Sequence, residues 1–138
     1  MDLNEFEKNV INMLLAGEHP VLETLRQQLS GAQIKERELT GVGFFTTLVI
    51  PAEAPLLANH KSIRLGDVVA EIAGLHHGAG FVLFINDGLL DCLEGFTYDE
   101  PWPTSINQFV LSYIGGSLRD LARLSEKLER KKGSELFN

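Results

Sequence analysis

"GAGFVLFINDGLLDCLEGFTYD", residues 78–99, decides the fold of this chain. Phe81 to Ile85 is an unbroken apolar run, too short for a buried helix and rich in residues that favour strands. Asn86, Asp87 and Gly88 follow, all of which tolerate the positive φ that a tight hairpin turn demands. Leu89 to Tyr98 then runs back. The stretch predicts a β-hairpin, and the hairpin predicts an antiparallel sheet. It should be central to stability, with the Phe84 ring as a core candidate.

Working outward from the hairpin, the apolar period is two on both sides and changes to helical spacing at the chain's ends. "QIKERELTGVGFFTTLVIP", residues 33–51, reads as one long strand or two, interrupted at Gly41-Val42-Gly43. Its first half is charged and edge-like; Phe44 to Ile50 looks central. Residues 51–62 form a loop with two prolines. Residues 63–74 form a strand, with a possible turn at Gly66-Asp67. Residues 106–115 make a further strand ending at Gly115-Gly116.

Leu3, Phe6, Val10, Met13 and Leu14 recur at three- and four-residue steps and predict an amphipathic helix. Gly17 stops it. Pro20 suits the first turn of a second helix, striped by Val21, Leu22, Leu25 and Leu29. At the other end Ser117 is a candidate N-cap for a last helix. Leu118, Leu121, Leu124 and Leu128 form its stripe, and the basic "ERKKG", residues 129–133, its end. The expectation is a single α+β domain over residues 1–138. It has an N-terminal helical pair, a mainly antiparallel sheet of about five strands and a C-terminal helix.

Composition bounds the function. Twelve basic and 19 acidic residues give a net charge of −7, which opposes nucleic-acid binding and leaves a basic protein partner open. Self-association is left open as well. No run approaches the ~18 consecutive apolar residues of a membrane span. The start, Met1-Asp2-Leu3-Asn4-Glu5, lacks a signal peptide's basic segment. The single cysteine, Cys92, cannot form an intrachain disulfide and points to the cytoplasm. It lies in an apolar run and reads as a small buried thiol.

No known catalytic spacing is present, and no cofactor or metal is expected. The glycine runs "GVG" and "GAG" are too short for a dinucleotide fingerprint. His76 and His77 are adjacent, and adjacent residues of a strand point to opposite faces. They could share a ligand only from a loop. Between Asn86 and Glu100 the chain has acids and no base, and Tyr98 and Trp102 add flat aromatic surface beside them. Glu94, Tyr98, Asp99, Glu100 and Trp102, with His76 and His77, are therefore the candidate binding residues. The competing structural reading makes Pro101-Trp102-Pro103 a fixed corner whose tryptophan covers the core edge.

Together "GVGFFT", "GDVVAEIAGLHHGAGFVLFINDG" and "LEGFTYDEPWP" resemble a family of small bacterial proteins of unknown function, over roughly residues 18–115. The resemblance implies one cytoplasmic domain and assigns no activity or site residues. The expected role is a small acidic, non-enzymatic binding protein, for example an immunity-like protein covering a basic toxin surface. The alternative is a small-ligand binder or enzyme, with a pocket between the His76-His77 turn and the Glu94–Trp102 corner.

Overall fold

A computed structural model describes residues 3–130. Three helices, α1 (Glu5–Leu14), α2 (Pro20–Ser30) and α3 (Leu121–Leu128), accompany seven strands. These are β1 (Gln33–Leu39), β2 (Gly43–Val49), β3 (Ile63–Leu65), β4 (Val68–Ile72), β5 (Ala79–Asn86), β6 (Leu89–Thr97) and β7 (Phe109–Tyr113). The sheet order is β1-β2-β6-β5-β4-β7, with β3 also paired to β5, and every pairing is antiparallel. The fold is α+β, as the patterning predicts.

The strand count is seven, not about five. Residues 33–51 turn at Thr40–Val42 into two paired strands. Residues 63–72 break at Gly66-Asp67, so that β3 lies along Leu83–Ile85 and β4 along Ala79–Gly80 of the same β5 edge. The β5–β6 hairpin turns at Asp87 (φ 50°) and Gly88 (φ 83°), the left-handed pair of a tight hairpin. A side chain at Gly88 would also press on the backbone of Leu57.

Alternation then sorts the strands into two faces. Phe44, Leu48, Ala70, Ile72, Ala79, Phe81, Leu83, Ile85 and Leu93 are buried against α1 and α2, which contribute Val10, Ile11, Leu14, Leu22 and Leu25. Phe84 faces the other way and is only half-buried; Phe81 carries the buried ring. At Gly95 a side chain would collide with the Phe44 ring, which explains a glycine in mid-strand.

Asn4 caps α1: its side chain accepts from the Glu7 N–H, and the Glu7 carboxylate accepts from the Asn4 N–H. Pro20 occupies the first turn of α2, where His19 Nδ1 accepts from Val21 N–H. The last helix starts later than its leucine stripe predicts. Asp120, not Ser117, is the N-cap, accepting from Arg123 N–H at 3.1 Å, and Leu118 is 86% exposed. The expected basic end of this helix falls largely outside the described residues. Among the described residues no helix is long and apolar enough to cross a membrane.

Candidate functional site

The helices cover one face of the sheet, and the side chains pointing to the other face remain half-buried or exposed. Register places them in rows. Glu36, Thr47, Cys92, Phe84 and Arg64 lie side by side across five strands, with the Arg64 guanidinium 5.4 Å from the centre of the Phe84 ring. Glu38, Phe45, Glu94 and Val82 form the next row. Phe96, Gly80, Val69 and Ser112 form a third, and Glu71 pairs with the 63%-exposed Val110. The face therefore has an apolar middle of Phe45, Val82, Phe84 and Phe96, with Glu36, Glu38, Glu71 and Glu94 among and around it.

At the β4–β7 side this face sinks into an open groove of about 1080 Å³. Val69, Glu71, Val110 and Ser112 form its floor, the turn carrying His76 and His77 one wall, and Tyr98 another. Tyr98 is 44% exposed and stands edge-on to Phe96, with ring centres 5.6 Å apart.

The corner after β6 divides its residues between two jobs. Asp99 takes a left-handed turn conformation, φ 56°, and is exposed. The Glu100 carboxylate accepts from the backbone N–H of His76 at 2.8 Å and of His77 at 2.9 Å, so it fixes the histidine turn. These amides, His76 first, hold its pKa below the ordinary 4.5. The Thr97 hydroxyl donates to the carbonyls of Val42 and Glu100. The Trp102 ring points the opposite way, edge-on to Phe44 at 5.1 Å and Phe6 at 6.4 Å, and the Trp102 backbone N–H donates to Gly41 C=O. Of the sequence candidates, His76, His77 and Tyr98 line the groove, and Glu100 acts there only by holding the histidine turn. Glu94 lies on the open face beyond it, and Trp102 serves the core side.

Several polar groups that matter to the architecture have little sequence signature. Glu7 is 2% exposed. Its carboxylate accepts from Arg37 Nε at 3.0 Å, from a terminal nitrogen of Arg37 at 2.5 Å and from the Thr46 hydroxyl at 2.6 Å. Burial pushes its pKa up, but the bonds from Arg37, Thr46 and Asn4 outweigh burial and hold it below 4.5. The Asn4-x-x-Glu7 spacing is a legible cap signal; the Arg37 partner is not. Arg119 grips Asp67 with two nitrogens, at 2.7 and 2.9 Å, and donates to the Leu14 and Ala16 carbonyls at the end of α1. Cys92 is half-buried, and burial raises its thiol pKa, which opposes a nucleophilic role.

Among the described residues no group of three or more His, Cys, Asp or Glu side chains converges to hold a metal. His76 and His77 have ring centres 6.4 Å apart. Comparisons with family models, curated proteins and solved structures find no match to this chain.

Proposed function

We propose that the chain is a non-enzymatic binding protein that receives a basic protein partner on the uncovered face of its sheet. One observation carries this reading: an apolar centre, Phe45, Val82, Phe84 and Phe96, interleaved with Glu36, Glu38 and Glu94, on a chain of net charge −7. Apolar contact supplies affinity at such a patch, and the acids speed encounter and select a cationic surface. An immunity-like role against a basic toxin fits this chemistry, as does the cytoplasmic bacterial setting that the motif resemblance implies.

The test begins with capture of partners from the native host. Affinity of a captured protein is then measured for wild type, Glu38→Gln with Glu94→Gln, and Phe45→Ala. The double substitution should weaken binding and flatten its salt dependence, and Phe45→Ala should raise the dissociation rate. A partner whose affinity and salt slope ignore all three changes does not use this face.

A second reading rests on the groove, where His76, His77, Tyr98, Glu71 and Ser112 present mixed donors and acceptors beside the apolar Val69 and Val110. A small molecule bound there should lose affinity in Tyr98→Ala and leave the Phe45→Ala variant unaffected.

A further inference from the structure

Strand β7 ends the sheet, and among the described residues no strand pairs with its outer side. Ala73 N–H donates to Gln108 C=O at 3.0 Å, and Ile114 N–H to Asp67 C=O at 2.9 Å. Backbone direction alternates along an antiparallel strand, so residues 108, 110, 112 and 114 turn their polar groups to β4. Phe109, Leu111 and Tyr113 turn theirs away. Those of Tyr113 are exchanged with Gly116, at 2.9 Å in both directions. The N–H and C=O of Phe109 and Leu111 bond to no described residue.

The opposite edge is protected. Strand β1 carries Lys35, Glu36, Arg37 and Glu38 and is bent by a bulge between Ile34 and Glu36, the usual defences against strand addition. Strand β7 has none of them. Residues 101–118 contain no charged side chain, and Val110 and Ile114 are 63% and 65% exposed.

We infer that β7 pairs antiparallel with β7 of a second copy, extending the sheet across a two-fold axis at Val110. In that register Phe109 of each chain faces Leu111 of the other, and every free N–H and C=O on both strands finds a partner. Charge selects the occupant. The chain repels its own kind at −7, and this uncharged segment is where two copies can approach without opposing carboxylates. A basic partner gains nothing from it. The contact also has a consequence for the groove, whose floor includes Val110 and Ser112 and runs out at this edge. Pairing places the two grooves side by side across the axis.

Sedimentation equilibrium of the full chain tests the inference. Wild type should show twice the 15.3 kDa chain mass. Val110→Lys sets like charges opposite each other across the axis, while within its own chain the lysine faces Glu71. Its dimer dissociation constant should rise at least about tenfold, with circular dichroism and melting close to wild type. Val110 against Val110 is a non-hydrogen-bonded pair, with Cα atoms about 4.5 Å apart, inside the disulfide range. Val110→Cys combined with Cys92→Ser should therefore give a covalent dimer on mild oxidation. A wild-type chain that stays monomeric at high concentration overturns the inference. So does a dimer that survives Val110→Lys and yields no cross-link. Should the lysine variant fail to fold, the cross-link decides.

Discussion

Glu7 joins the first helix to the sheet, and its charge is what makes the joint. Glutamine in its place withdraws the charge and turns one of the two accepting oxygens that Arg37 and Thr46 use into a donor. Glu7→Gln should destabilise the fold by about 2 kcal/mol in urea melts. That is below the ~3–5 kcal/mol of a fully buried pair, because Arg37 keeps 27% exposure. The folded pKa lies below the ordinary 4.5, so the unfolded chain takes up the proton first. Its stabilisation is complete above the ordinary value and is lost as pH falls through the depressed one. Stability measured against pH below 4.5 should accordingly be flatter in Glu7→Gln, and an unchanged acid limb would contradict the assignment. Trp102 and Glu100 make the complementary case. Both were legible as special residues from the Pro101-Trp102-Pro103 corner and the run of acids before it. Their directions were not legible, because a corner's outward and inward sides depend on which strands flank it. Trp102→Ala should cost about 2–3 kcal/mol, less than a fully enclosed ring, through lost contact with Phe6 and Phe44. Asp99→Asn should be near neutral, since asparagine accepts the left-handed conformation equally well.

The β5–β6 hairpin was readable because three independent signals agree: an apolar run, a turn pair and a return strand. Which of its phenylalanines lies inside was not. Every residue from Phe81 to Ile85 is apolar, so alternation leaves no polar mark to tell the faces apart. Phe81 is 1% exposed and touches Phe6, with ring centres 5.6 Å apart, whereas Phe84 shares the open face with Arg64. Phe81→Ala should cost about 4 kcal/mol and Phe84→Ala about 1–2 kcal/mol; the reverse order in denaturant melts would invert the two faces. The split of residues 33–51 and of 63–72 was visible only as glycine punctuation, which marks a bulge as readily as a turn. Gln28 had no signal at all. It sits on the buried stripe of α2, where its amide donates to Pro55 and Gly88 carbonyls at 2.8 Å and accepts from Leu90 N–H at 2.8 Å. A helix stripe predicts an apolar residue there, and only the tertiary approach of the hairpin tip supplies the partners that make glutamine fit.

Across the whole molecule stability should be graded from the middle of the sheet outward. The net charge and the α+β class follow from composition and period, but the division into a covered and an uncovered face requires the strand order, which sequence spacing does not fix. That order places β5 and β6 between β2 and the β3–β4 pair, so their ladders are bonded on both sides and their inner residues lie under α1 and α2. Helix α3 is held differently. It buries Leu124 and Leu128, its last turn is tied by Lys61 Nζ donating to the Leu128 C=O, and the neighbouring His19–Glu129 contact, 3.6 Å long, has a glutamate 69% exposed. Such a surface pair adds little. Opening α3 therefore exposes a small apolar area and leaves the sheet intact, whereas opening β5 dismantles the core. Native-state hydrogen exchange should find the β5 and β6 amides protected to the limit of global unfolding, with exchange accelerating steeply in denaturant. The α3 amides should exchange much faster and respond only weakly to low denaturant, the mark of a local opening. Equal protection and equal denaturant slopes in α3 and β5 would mean that the helix is part of the cooperative core, and that its two buried leucines count for more than their area implies.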